Sequence, residues 1–182
     1  MKTQRLTAIG VLTAAALGVH YLESCLPFVM PLPGMKPGLT NVIVLLTLLL
    51  LGPSAACWVQ MLRLTLGAVF AGSFVSATYS FAGGILSLAV MLFLHSLLKR
   101  NLKQTRSFSG ALSVIVISIF GALSHNLAQI AVGYAYYRIA ALFSYLPYLL
   151  LTGMVTGLFV GLCGFYTSIP LRIFRKFQEV RL

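Results

Sequence analysis

The sequence contains no aspartate, and its only acidic residues are Glu23 and Glu179. Magnesium-dependent phosphate chemistry gathers several carboxylates, and paired-carboxylate catalysis needs two that meet. Glu179 lies in a basic tail, so the two glutamates are not expected to meet. The chain also lacks the GxSxG, P-loop, HExxH and CxxC motifs. We therefore predict that the chain is not an enzyme and holds no metal or cofactor.

Charged residues of either sign are scarce, at 8% of the chain, whereas 59% is hydrophobic and the mean hydropathy is +0.98. Soluble domains carry about 25% charged residues, so we predict an all-α integral membrane protein. The three cysteines are far apart in apolar surroundings, which excludes a disulfide framework. The 13 lysines and arginines form short clusters between apolar runs. Membrane topology explains these clusters better than nucleic-acid binding does.

Six apolar runs are candidates for membrane-spanning helices, each of which needs about 20 residues. The second run is shorter than a span unless neighbouring helices enclose it, and it ends at the Gly52-Pro53 break. The first run resembles a signal peptide, but we predict that it is retained as a helix. The chain is then a single six-helix domain. The six predicted helices cover residues 6–25, 39–52, 54–71, 82–98, 108–134 and 144–169.

The distribution of lysine and arginine predicts the orientation of these six helices. The side that holds both termini carries ten basic residues, whereas the opposite side carries only Lys36 and Arg138. Both termini are therefore predicted to be cytoplasmic, in a multi-pass protein of the inner (plasma) membrane. The ten residues are Lys2, Arg5, Lys99, Arg100, Lys103, Arg106, Arg172, Arg175, Lys176 and Arg181.

Two outer loops are predicted, at 27–41 and 73–84. The first, PFVMPLPGMKPGLTN, contains four prolines, which stiffen it and prevent a helix. Such a loop is either a lid over a cavity or a simple membrane-surface loop, and the sequence leaves both open. The four prolines are Pro27, Pro31, Pro33 and Pro37.

Several polar side chains are predicted to share one layer in the outer half of the membrane. At 1.5 Å per residue, those on the first and fifth predicted helices lie about 21 to 31 Å from the cytoplasmic end. Residues His125, Asn126 and Gln129 of the HNLAQ motif have spacings that place them on one face. The layer either bonds helices together or binds a solute. The predicted substrate-binding residues are Glu23, Lys36, Asn41, Arg63, His125, Asn126 and Gln129.

Arg63 is the deepest charge in the predicted bundle. It lies about 14 Å into the third helix and roughly 12 Å below Glu23, which makes a simple ion pair between them unfavourable. Arginine at a helix centre costs about 2.5 to 3.5 kcal/mol on insertion scales, so the side chain needs an interior partner. Arg63 either meets an anionic group of a ligand or bonds broken backbone near Gly52 or Gly67.

Small residues recur every four positions in two helices, a spacing that lets helix backbones approach closely. In the sixth predicted helix, Gly153, Gly157 and Gly161 are expected to pack within the bundle. In the first helix, the corresponding stripe is a candidate interface for another membrane subunit. That stripe consists of Gly10, Ala14 and Gly18.

Five segments from about residue 20 to 165 carry a resemblance to a known family. In order, they read PGMKPGLTNVIVLL, LRLTLGAVFAGS, YSFAGGILSLAVM, GALSHNLAQIAVG and YLPYLLLTGMVTGLFVG. The chain resembles the membrane proteins catalogued as heptaprenyl diphosphate synthase component I and as Gx transporters. That family is similar to the substrate-binding S component of energy-coupling factor (ECF) transporters.

The resemblance implies an S-component-like bundle whose outer site binds a small solute beneath the loop after the first helix. It also implies docking of the first helix on a transmembrane coupling protein that works with ATPase subunits. A prenyl diphosphate synthase uses DDxxD clusters, which this chain lacks, so a synthase role is limited to a non-catalytic companion. Family members occur with flavin- and quinone-linked proteins. The alternative is therefore a membrane subunit of a quinone, prenyl-lipid or flavin-linked extracellular electron-transfer system.

Overall fold

A computed structural model describes residues 2–25, 35–71, 73–102 and 107–180 of the chain. The described residues form seven α-helices and a 3₁₀ helix at Ala140–Tyr145. The α-helices are α1 Lys2–Cys25, α2 Asn41–Leu51, α3 Pro53–Ala71, α4 Phe74–Leu97, α5 Lys99–Leu102, α6 Phe108–Tyr137 and α7 Leu146–Val180.

Four helical segments are long and apolar enough to cross a membrane, namely Thr3–Cys25, Phe74–Leu97, Phe108–Tyr137 and Ala140–Leu171. Large apolar side chains point away from the bundle along them, including Phe74, which is 78% exposed. Extensive apolar exposure of this kind fits contact with lipid. The structure thus supports the predicted all-helical membrane protein.

The two remaining predicted spans differ from these four segments. Helix α2 has only 11 residues, but most of its side chains are buried within the bundle. Helix α3 has 19 residues and carries Gln60 and Arg63 in its interior. Gly52, with a φ of 87°, connects the two helices, and its N–H donates to the carbonyl of Thr47. The positive φ favours glycine here, and Pro53 is tolerated as the first residue of α3.

The predicted loop at 73–84 is wrong, because α4 already begins at Phe74. Ser73 caps this helix by accepting a hydrogen bond from the N–H of Ser76 at 3.3 Å. The hydroxyl of Thr78 donates to the carbonyl of Val75 within the helix, which satisfies this polar group locally.

Smaller differences concern the other helix ends. Helix α6 continues to Tyr137, three residues beyond its predicted end, and stops at Arg138 in a left-handed conformation. Helix α7 continues past the predicted end at residue 169, through Pro170, to Val180. The short α5 was not predicted. Parts of two predictions lie outside the residues whose side chains are described. For the predicted proline-rich loop at 27–41 these are Pro27, Pro31 and Pro33. For the count of basic residues they are Lys2, Lys103, Arg106, Arg172, Arg175, Lys176 and Arg181.

The glycine stripe of α7 packs against α6, as predicted. A Cβ added at Gly157 would lie 2.6 Å from the Cα of Ile119, and one at Gly161 would lie 2.9 Å from the Cα of Ile115. The two backbones therefore approach too closely for any side chain. This contact holds α6, the helix of the HNLAQ motif, firmly on α7.

The stripe on α1 has the opposite environment. Gly10, Ala14 and Gly18 are exposed, and an added Cβ at either glycine would meet nothing within 4 Å. Helix α1 is joined to the bundle on its other face, where Arg5 donates to the hydroxyl of Ser54 in α3 at 2.6 Å. The small-residue face of α1 is therefore uncovered by the described part of the chain.

The two glycine environments predict different responses to the same substitution. Gly157→Ala should destabilise the detergent-solubilised protein by about 1 to 3 kcal/mol, because the methyl group must push α6 and α7 apart. Gly10→Ala is the matched control and should leave the melting temperature unchanged or slightly higher. Heating followed by fluorescence-detected size exclusion measures the melting temperatures of both variants. Equal melting temperatures for the two variants would contradict the close α6–α7 contact.

Candidate functional site

The carboxylate of Glu23 joins the end of α1 to the turn that begins α2. Its Oε1 accepts hydrogen bonds from the backbone N–H of Gly38 and, at 2.9 Å, of Leu39. Its Oε2 accepts one from the hydroxyl of Thr40, also at 2.9 Å. The first N–H groups of α2 donate to the carbonyls of residues 38–40, and the helix dipole favours a negative charge near this end. The buried Glu23 therefore holds, from a different helix, the turn that leads into α2.

Residues 35–40, called here the covering loop, lie over α6. The N–H of Lys36 donates to Oε1 of Gln129 at 3.4 Å, and Nε2 of Gln129 lies 2.8 Å from Nε2 of His125. Gly38 has a φ of 83°, and its added Cβ would lie 3.2 Å from the His125 ring. Because the turn needs a left-handed residue in direct contact with the imidazole, glycine is the residue that fits.

The side chain of Lys36 turns back towards α1. Its Nζ donates to the hydroxyl of Ser24 at 2.7 Å and lies 3.0 Å from Nε2 of His20. Burial lowers the pKa of Lys36 below its ordinary value, Glu23 opposes this effect, and the charge of Arg63 adds to it. The direct hydrogen-bond partners of this cation are an uncharged hydroxyl and an imidazole, so Lys36 makes no direct bond to Glu23.

Two adjacent glycines of α4 form the surface against which side chains of α3 and α6 rest. A Cβ added at Gly83 would lie 2.7 Å from Nδ1 of His125, and one at Gly84 would collide with Nε2 of Gln60. Nε and Nη2 of Arg63 both donate to Oε1 of Gln60, at 3.2 and 3.0 Å. Larger residues at either glycine would displace these polar groups.

One further bond connects α2 to α4, because Nδ2 of Asn41 donates to the hydroxyl of Ser87 at 3.2 Å. Together these contacts define one cluster, buried except for the half-exposed His20 and Lys36, which we call the polar layer. It includes six of the seven predicted site residues. The members of the polar layer are His20, Glu23, Lys36, Asn41, Gln60, Arg63, Ser87, His125 and Gln129.

Asn126 does not belong to the polar layer. Its Nδ2 donates to the carbonyl of Leu149 at 2.7 Å and lies against Gly153 of α7. The predicted shared face is therefore correct for His125 and Gln129 and wrong for Asn126. A residue one position after His125 points about 100° further round the helix, which brings it to the neighbouring helix instead.

The structure resolves the partner of Arg63, which is 3% exposed. Its described hydrogen bonds go to the side chain of Gln60 and to neither of the backbone breaks considered above. Gly67 contacts His20 instead. Sequence reasoning missed Gln60, although its position three residues before Arg63 places the two side chains on one helix face. The Gly83-Gly84 pair was a second usable signal.

Three atoms of the polar layer are buried without a hydrogen-bond partner, namely Oδ1 of Asn41, Nε2 of Gln60 and Nδ1 of His125. Buried polar groups are normally paired, because an unmet hydrogen bond costs about 1 to 3 kcal/mol. Within the described residues, no three His, Cys, Asp or Glu side chains are grouped to hold a metal ion. The three unpaired atoms belong to amide and imidazole groups, and such groups suit an organic solute.

The fold and the site define a helical membrane protein with a buried polar layer beneath a short covering loop. The chain belongs to the heptaprenyl diphosphate synthase component I family, whose family model matches residues 12–167. This confirms the family predicted from the five sequence segments. No curated protein and no solved structure matches the chain.

The Glu23 contacts predict a local effect of Glu23→Gln. The amide removes the charge and turns one acceptor into a donor, so the turn at residues 38–40 should lose hydrogen bonds worth about 1.5 to 3 kcal/mol. Hydrogen exchange should accelerate in peptides covering residues 36–48, while peptides of α6 and α7 that pack on each other stay protected. Glu179→Gln is the same change far along the chain and should have no effect on those peptides. Unchanged exchange in Glu23→Gln would show that the carboxylate does not hold the covering loop.

Proposed function

We propose that the chain is an S-component-like membrane protein that binds a small solute from outside in its polar layer. The polar layer carries this proposal. Side chains from α1, α2, α3, α4 and α6 meet there under the covering loop, and Asn41 and Gln60 retain unpaired buried atoms. A purely structural cluster would gain stability by pairing them, whereas a binding site keeps them for its guest.

In the proposed topology the chain crosses the inner (plasma) membrane six times, and both termini are in the cytoplasm. Four spans correspond to the long apolar helices, and the buried α2 and the adjoining α3 supply the other two. The basic residues of the sequence favour this orientation. The covering loop then lies at the outer face, where a solute enters.

Uptake needs an energy source that the chain does not encode. No nucleotide-binding motif occurs in the sequence. A transmembrane coupling protein with ATPase subunits would supply the energy, and the exposed Gly10, Ala14 and Gly18 face of α1 suits close helix contact with it. The chain itself is proposed to be non-catalytic, without a cofactor and without a nucleic-acid partner.

The family description favours a second function. It names a component of a prenyl diphosphate synthase, and a component of this kind without any aspartate would be a non-catalytic membrane subunit. In that case the chain anchors a quinone, prenyl-lipid or flavin-linked electron-transfer complex, and the polar layer contacts a head group or holds the helices together. Deleting the gene would then lower quinone content or electron transfer and leave solute uptake intact.

Affinity purification from native membranes in mild detergent, followed by protein mass spectrometry, separates the two functions. The wild-type chain should retain an ATPase and a second membrane subunit. Ala14→Leu should remove both, because the larger side chain stands in the small-residue face. Ala15→Leu makes the same change at an exposed position about 100° round α1 and should retain them.

Two other outcomes contradict the transport function or the docking face. A flavoprotein or prenyl-transferring enzyme in place of the ATPase would establish the second function. Equal retention of the ATPase by Ala14→Leu and wild type would show that α1 does not carry the docking face.

A further inference from the structure

The charges of the polar layer do not balance. Lys36 and Arg63 are cationic and Glu23 is the one carboxylate, so two positive charges and one negative charge leave a net charge of +1. The only other acid is Glu179. It lies 30 residues beyond Leu149 in the continuous α7, roughly 45 Å along the helix. No other carboxylate of this chain can therefore neutralise the layer.

Glu23 does not bond the arginine directly. Its two oxygens accept three hydrogen bonds from residues 38–40, so the hydrogen bonds of this carboxylate go to the turn before α2. Arg63 is nearly fully buried, and its described bonds go to a neutral amide. A buried charge that interacts with its counter-charge only at a distance is costly, and a group of opposite sign that bonds it directly lowers that cost.

The geometry of Arg63 shows which of its edges remains available. A guanidinium presents five N–H groups in one plane. The edge formed by Nε and Nη2 is occupied by Oε1 of Gln60. No described residue accepts from Nη1, and Nη2 donates only to Gln60, so the edge formed by Nη1 and Nη2 has no acceptor of its own among the described residues. This edge carries two parallel N–H groups, which match the two oxygens of a carboxylate.

Gln60 adds a third donor beside that edge. Because Oε1 accepts from Arg63, the amide of Gln60 is held in one orientation and its Nε2 points away from the guanidinium. Nε2 is buried without a partner and rests on Gly84, the same glycine that Nη2 of Arg63 contacts. Arg63 thus fixes Gln60, and the two side chains together present donors on one side of α4.

Resting on the solute-binding function proposed above, we infer that the solute is a monocarboxylate, held by the Nη1–Nη2 edge of Arg63 with Nε2 of Gln60 as an additional donor. One negative charge brings the layer to neutrality. A phosphate monoester carries about two charges near neutral pH and would leave an excess negative charge. The acceptor Oδ1 of Asn41 is left for a hydroxyl or N–H elsewhere on the solute.

The test is to identify small molecules released by acid methanol from protein purified out of native membranes. Wild type should carry a compound with a single carboxylate. Arg63→Met should reduce its amount about 10- to 100-fold, because a charged hydrogen-bond partner is lost. Arg63→Lys keeps the charge without the planar fork and should cause a smaller reduction. Arg5→Met, an arginine change at an exposed site outside the layer, should retain the compound.

Each other outcome overturns the inference. A bound neutral, cationic, phosphorylated or polycarboxylate compound contradicts the monocarboxylate and leaves the binding function standing. Full retention of a monocarboxylate by a folded Arg63→Lys or Arg63→Met places it elsewhere in the protein. Protein that is folded, associated with its partner subunits and free of any small molecule contradicts both the inference and the binding function.

Discussion

The architecture around the polar layer depends on the buried carboxylate of Glu23. It accepts hydrogen bonds from three donors of residues 38–40 and so ties α1 to the turn of the covering loop that leads into α2. In an apolar environment these donors have no water to bond, so their pairing with Glu23 is worth more than on a soluble surface. The contacts of the covering loop with α1 and α6 follow from this anchor.

Glycine provides the space in which the polar layer forms. Gly83 and Gly84 let the side chains of His125, Gln60 and Arg63 lie directly on α4, while the stripe of α7 brings α6 close from the other side. Most of these contacts cross between helices, so the layer couples the covering loop to the interior of the bundle. Movement of the loop would disturb His125 and Gln129 first, because both contact it directly.

The helical class, the family and most of the polar layer could be predicted from the sequence, because polar residues in long apolar runs are rare and costly. The rise of about 1.5 Å per residue placed Glu23, His125 and Gln129 at similar heights along their helices. It could not show the direction of each side chain, which is why Asn126 was misplaced. The loop predicted at 73–84 failed because hydroxyl groups bond within their own helix, and composition alone does not reveal this.

An experimental structure of the protein purified with its native partners, and never exposed to denaturant, tests the central claim most directly. The account predicts density for a non-protein molecule in the polar layer, within hydrogen-bond distance of Arg63 and beneath the covering loop. A well-ordered layer in which the chain's own side chains pair Gln60 and Asn41, with no such density, would contradict it. The polar layer would then be a structural bond between helices.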